Sequence, residues 1–373
     1  PPPRRTAVPR ATRRVPVRLL VAVAVVLVLV AGGVAVALRV WGGGDSDLRR
    51  AVALAPDDVQ RYSWTDWAGV RDEVGSDVDA SSSPEQVEDF LSEAYDLDLA
   101  STTAQAESAS LLQQELGWSP ASVEWELFTQ STTGGADLVG LAEGTDVEAL
   151  GERLEGLGYT RPESDDGVWE GADALARTSL ETGYNASPTL QYVALVAERD
   201  LVVTGDDAAY LASVVDGLDD DGTDDDVSRA VDALIDGASG GDPLAAAVYP
   251  GEFACASLAM GQADPAEQAE GERLVAAAGE VDPLEVFALA LEPGLGARLV
   301  LGFSDDDRAR RNADARATLL EGPAPGQGGD FTDRFAVDSV TADGPLVVAD
   351  LTPAEGSFVL SDLSTGPVLF ATC

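Results

Sequence analysis

Gln60 to Arg71 reads QRYSWTDWAGVR, an extended aromatic segment that runs straight into a helix start, with Thr65 as the expected N-cap and Asp66 in the first turn. Ala246 to Leu258, AAVYPGEFACASL, has the same order of events: strand, turn, acid, aromatic, alanine. Trp67-Ala68 thus falls on Phe253-Ala254, and the parallel continues downstream. Val123 to Gln130 (VEWELFTQ) corresponds to Leu284 to Leu291 (LEVFALAL), and a second apolar strand follows each, at Ala136 to Ala142 and Ala297 to Phe303. A helix behind an acidic start comes next, at Asp146 to Leu157 and Asp305 to Leu320, and a hairpin closes each copy, at Tyr192 to Gly205 and Phe335 to Leu351. The offset shrinks from 186 residues at Trp67 to 160 at Leu138 and about 145 at Leu201, as insertions in the first copy require. The repeating unit is β-α-α-β-β-α-β-β-α. It predicts the α+β class: two related lobes, each a mainly antiparallel sheet with helices packed on one face.

Upstream of the repeat the chain changes character. Leu19 to Leu38 is an unbroken apolar run of 20 residues, roughly 30 Å as a helix and so the thickness of a bilayer's hydrocarbon core. Six arginines precede it between Arg4 and Arg18, which orients the N-terminus to the cytoplasm. The expected organisation is a basic cytoplasmic segment (1–18), a transmembrane helix (19–38) and a flexible linker (39–55). An extracytoplasmic lobe (56–216), an acidic Gly/Asp linker (217–243) and a second extracytoplasmic lobe (244–373) follow. A cleaved signal peptide has a shorter apolar core, of about 7 to 15 residues, so a retained single-pass anchor is expected. The sequence opens on Pro1, and a further cytoplasmic stretch is expected ahead of it.

The net charge of −43 is the sum of two opposite parts. Residues 1–50 hold nine Arg against two acids, and residues 51–373 hold fourteen Arg against 64 acids, so a +7 head precedes a −50 body. Such a body is a poor partner for nucleic acid. Histidine and lysine are both absent. That removes Ser-His-Asp and Cys-His nucleophile systems, HExxH zinc sites, the P-loop lysine and Schiff-base chemistry. Gly237 to Gly241 spells G-x-S-x-G, but without a histidine it is no nucleophile elbow. No catalytic residue is assigned. Carboxylates alone survive the elimination, and a pair of them suffices for glycoside hydrolysis. Glu124 and Glu126 flank Trp125 on one strand, which places both on the face opposite the tryptophan, read as the solvent face.

Alanine-, valine-, glycine- and aspartate-rich, lysine-free usage is what a G+C-rich genome writes. With phrases such as Trp64-Thr-Asp-Trp67 and Leu201-Val-Val-Thr-Gly-Asp206, the layout resembles uncharacterised actinobacterial single-pass membrane-anchored extracytoplasmic proteins with a duplicated domain. The resemblance implies no activity.

Four further features are singled out. Cys255 and Cys373 are the two cysteines of an exported body, and a disulfide between them is expected. The acidic run at 216–226 fails the EF-hand frame at both ends, but Asp219, Asp221 and Asp224 are candidate ligands for a looser calcium site. No other cofactor is expected. Trp118 and Trp169 have no aromatic counterpart in the second copy, which makes them candidates for a surface that stacks on a glycan or partner protein. Trp67 and Trp125 are read as core. The functional expectation is a membrane-anchored binding or scaffolding protein of the cell envelope, with an envelope protein or glycan as partner. The alternative is a carboxylate-dependent hydrolase of envelope glycans, supported by calcium.

Overall fold

Eleven strands join in one antiparallel sheet, and β1 (Arg61–Thr65), the strand inside QRYSWTDWAGVR, lies near its middle. The first half supplies β2 (Val123–Gln130), β3 (Gly135–Leu141), β4 (Val168–Glu170), β5 (Tyr192–Val196) and β6 (Leu201–Gly205). The second supplies β7 (Ala245–Pro250), β8 (Val286–Leu291), β9 (Ala297–Gly302), β10 (Phe335–Asp343) and β11 (Leu346–Pro353). The spatial order is β10-β11-β9-β8-β7-β1-β2-β3-β6-β5-β4. This computed structural model describes residues 46–164, 167–219, 222–238 and 241–373. The segments read as cytoplasmic (1–18) and transmembrane (19–38) lie outside the described residues, as does most of the first linker. Among the described residues no helix is long and apolar enough to cross a membrane.

A sheet in each lobe was the expectation; instead the two halves share one. The seam is β1 against β7, with Tyr62 opposite Val248 and Trp64 opposite Ala246. Ala245, Ala246 and Ala247 explain the fit, because small residues on β7 leave room for the aromatics of β1. The Trp64 indole Nε1 donates to the Pro243 carbonyl at 2.8 Å.

Helices cover both faces of the sheet, not one. On the first face lie α2 (Trp67–Val74), α3 (Pro84–Asp96), α4 (Val147–Leu157) and α5 (Ala172–Thr182). The same face carries α8 (Gly251–Ser257), α9 (Pro265–Ala278), α10 (Asp306–Leu320) and α11 (Val359–Leu363). The second face is closed by α1 (Asp47–Ala53), α6 (Ala208–Asp216) and α7 (Asp225–Gly237). The strands carry the reason: every residue of β3 and of β8 is buried, and a strand apolar on both sides needs cover on both.

Two of these helices fall in segments read as linkers. Within 217–243, Asp224 caps α7 by accepting from the backbone N–H groups of Asp226 and Val227. Val227, Ala230, Val231 and Leu234 then recur at helical spacing and are buried, against β7 to β9, where Ala246, Ala288 and Ala290 let the helix approach. Within 39–55, Ser46 caps α1, whose Leu48, Ala51 and Val52 are buried against α7 and β2. A smaller shift concerns the first helix start. Thr65 completes β1 and its hydroxyl meets that of Thr102 at 2.8 Å, so the N-cap of α2 is Asp66, which accepts from the Gly69 N–H.

Cys255 on α8 and Cys373 form the expected disulfide, with Cα atoms 5.7 Å apart. The same segment is held by Arg316 of α10, fully buried, whose guanidinium donates to the carbonyls of Phe370 at 2.5 Å and Asp282 at 2.8 Å. Burial lowers the Arg316 pKa to about 9, against the opposing pull of Asp282.

Candidate functional site

A cleft of about 550 Å³ opens at one end of β2, β3 and β6, beside α1. Its apolar floor is Trp125, Leu141, Leu201 and Leu54, and its rim carries Asp47, Glu124, Glu143 and Asp200 with Arg50 and Arg199. Two local features shape it. A bulge in β2 between Val123 and Trp125 breaks the ladder with β3, and Gly140 opposite lets the indole lie across it. A Cβ at Gly140 would overlap Trp125 Cε2 and Nε1. On its other side Trp125 stacks on Trp64, ring centroids 5.7 Å apart. Asp200 occupies the left-handed region at φ 49° in the β5–β6 turn, and its carbonyl accepts from the Leu141 N–H, which ties the two rim segments together. Burial, and after it the charges of Asp242 and Glu124, raises the Asp47 pKa against the pull of Arg50. The rim holds an excess of negative charge close to an aromatic surface.

On the opposite face of the same strands two carboxyl groups are buried together, Glu126 at 0 % exposure and Asp137 at 2 %. Glu126 accepts from Trp67 Nε1 at 2.9 Å, Thr103 Oγ1 at 2.6 Å and the Ala104 N–H at 2.5 Å. Asp137 accepts from Gln105 Nε2 at 3.2 Å, and its Oδ1 has no donor among the described residues, as suits an acid that carries a proton beside the Glu126 carboxylate. Desolvation, reinforced by the charge of Glu126, raises the Asp137 pKa well above the carboxylate range, and burial raises that of Glu126 as well. Asp137 therefore keeps its proton and donates it to Glu126, whose three other donors favour the ionised form. An acid and a carboxylate side by side have the protonation states of a glycosidase pair. Sealed beneath α2, they cannot be reached by a sugar.

The structure relocates several residues singled out from sequence. Trp118 and Trp169 are 1 % and 2 % exposed and offer no stacking surface. Trp169 borders a cleft of about 470 Å³, but the Arg161 guanidinium lies over its ring at 4.7 Å. Their lack of counterparts marks the larger core of the first half. Trp67 and Trp125 are core as read, at 0 % and 9 % exposure, on opposite faces of the sheet. Glu126 does point away from Trp125, yet that face is covered, so it is interior and not solvated; Glu124, expected beside it, sits instead on the cleft rim with Trp125, where the β2 bulge breaks the alternation. Of the calcium candidates, Asp219 forms an ion pair with Arg199, Asp224 caps α7, and Asp221 lies outside the described residues. Among the described residues no group of three or more acidic, His or Cys side chains is arranged to hold a metal. Asp137, Glu143 and Asp200 were not singled out from sequence. For Asp137 a signal existed: it is the lone charge in the otherwise apolar strand GADLVGL.

No protein-family model matches this chain, and no curated protein matches it in sequence. It is similar to the solved structure described as crystal form III of TP0453, at 8 % identity and a TM-score of 0.37 over 83 % of this chain and 96 % of that one. A likeness at that level bears on neither fold nor activity.

Proposed function

We propose that the chain is a binding or scaffolding protein of the cell envelope, anchored by one N-terminal membrane helix (19–38), that takes its ligand in the cleft beside α1. The cleft carries this reading: its volume, apolar floor and charged rim are those of a small-ligand site. Export of the body is supported by the arginines ahead of the apolar run and by the Cys255–Cys373 disulfide. The body is a duplication of 56–216 and 244–373. Read outward from the seam, the strand orders β1-β2-β3-β6-β5 and β7-β8-β9-β11-β10 correspond one to one, and β4 with α5 is the insertion in the first copy. Laying Trp67 over Phe253 also lays Tyr62 over Val248, and these two are direct partners across the seam, as a local two-fold axis between copies requires.

The test is to incubate the full-length chain with envelope extract, re-isolate it and compare it by native mass spectrometry with Ala53→Trp, which fills the cleft from an exposed position on α1. A species bound to the wild type and absent from A53W is expected. Equal occupancy of the two proteins would remove the cleft from consideration.

A further inference from the structure

We infer that the ligand of this cleft is a basic peptide segment, whose cationic side chain lies on Trp125 between the rim carboxylates. The inference rests on the binding reading above and adds the ligand's chemistry. Both arginines of the rim are engaged: Arg50 pairs with Asp47, and Arg199 with Asp219 outside the cleft. Glu124, Glu143 and Asp200 form no ion pair among the described residues. The charge left to meet a ligand is therefore negative, so an anion is repelled and a neutral ligand leaves carboxylates unanswered. The floor narrows the choice further. A metal ion needs converging oxygens and gains nothing from Trp125, Leu141 and Leu201, whereas a lysine or arginine side chain lays its methylenes on them and sets its charge near an indole face.

A separate observation points to a polypeptide. Trp125 is about nine-tenths buried and lines the cleft, and its Nε1 makes no hydrogen bond among the described residues. That N–H is open to the cleft and free to donate to a ligand. A peptide supplies a backbone carbonyl beside its cationic side chain; a fully protonated polyamine has none. The wider body, with its large excess of acids, draws cations toward the site and repels acidic competitors.

Calorimetric titration of the full-length chain with the peptide acetyl-Leu-Lys-Leu-Lys-amide tests this, with spermidine and the corresponding Glu peptide run beside it. One-to-one binding of the Lys peptide is expected, weakened about tenfold or more by Glu143→Gln with Asp200→Asn, both exposed side chains. Neutralising two exposed acids at the far end of the sheet, Asp343→Asn with Glu355→Gln, should leave it unchanged within about twofold. Equal weakening by both pairs means diffuse attraction to an acidic body and overturns the inference. Tighter binding of spermidine than of the Lys peptide, or equal binding of the Glu peptide, overturns it too. If the Lys peptide fails to bind while a species sensitive to A53W is still recovered from extract, the cleft remains a binding site and its assigned ligand is wrong.

Discussion

Replacing Asp137 by asparagine removes one proton from the interior and nothing else of consequence. In the folded chain Asp137 stays protonated because burial, and then the neighbouring Glu126 charge, holds its pKa up. In the unfolded chain it titrates near 3.9, as an exposed aspartate does. Above about pH 4 the folded state therefore holds a proton that the unfolded state has released. Stability from this site falls as pH rises, by about 1.4 kcal/mol per unit, until the pH passes the folded pKa. The substituted amide donates to Glu126 through its own N–H and has no proton to take up. The stability difference, D137N minus wild type, should grow as the pH rises from 4.5 to 6.5, with a slope of up to about 1.4 kcal/mol per unit. Urea unfolding curves of the two proteins at three pH values in that range measure it, and the many surface acids cancel in the difference. A difference that does not change with pH would mean that no proton is shared and that the assignment of acid and carboxylate is wrong. Glu126→Gln provides the contrast. It exchanges one acceptor oxygen for an NH₂ while Trp67 Nε1, Thr103 Oγ1 and the Ala104 N–H still need acceptors, and costs about 1–3 kcal/mol.

Removing both cysteines, as Cys255→Ser with Cys373→Ser, frees a loop with a sequence separation of 118 and should lower stability by up to about 4.7 kcal/mol. Thermal melts with and without reductant check it, and identical melting of the wild type in both conditions would dissolve the argument. Arg316→Met strands the Phe370 and Asp282 carbonyls in the interior, at a cost of about 3 kcal/mol in denaturant unfolding; a loss below about 1 kcal/mol would show that water reaches them. Gly140→Ala drives a methyl group into the Trp125 indole and should cost about 1–3 kcal/mol while shifting tryptophan emission. Wild-type stability and an unshifted spectrum would place the ring elsewhere.

The readable parts of this fold are those whose signal is local. A strand running into an acid-started helix can be recognised at Gln60 and again at Ala246, and the order of elements after each follows from apolar period and turn chemistry. Pairing between distant strands has no such signature. Ala245 to Ala247 look featureless in sequence because their contribution is to be small beside Trp64, which only the seam explains. The second layer of helices was obscured for a related reason. α7 follows a run of aspartates that suggests solvent, yet one of those acids is its cap, and four apolar residues on a single stripe are enough to bury it. The cleft was hidden by the bulge in β2, since strict alternation has no place for an extra residue. Tryptophan counts misled where copies differ in size: an aromatic without a counterpart signals added core as readily as added surface.

The seam between β1 and β7 also decides where this chain can be divided. Each of those strands has both ladder edges satisfied only because the other half is present. The outer edges of the sheet are defended otherwise, β4 by being three residues long and β10 by a bulge and by Asp338 and Asp343. A cut between the halves, after α7, strips that helix from β7 to β9 and leaves two half-sheets whose innermost strands, β1 and β7, become their borders. Such fragments would seek one another, or copies of themselves, before they stayed in solution as monomers.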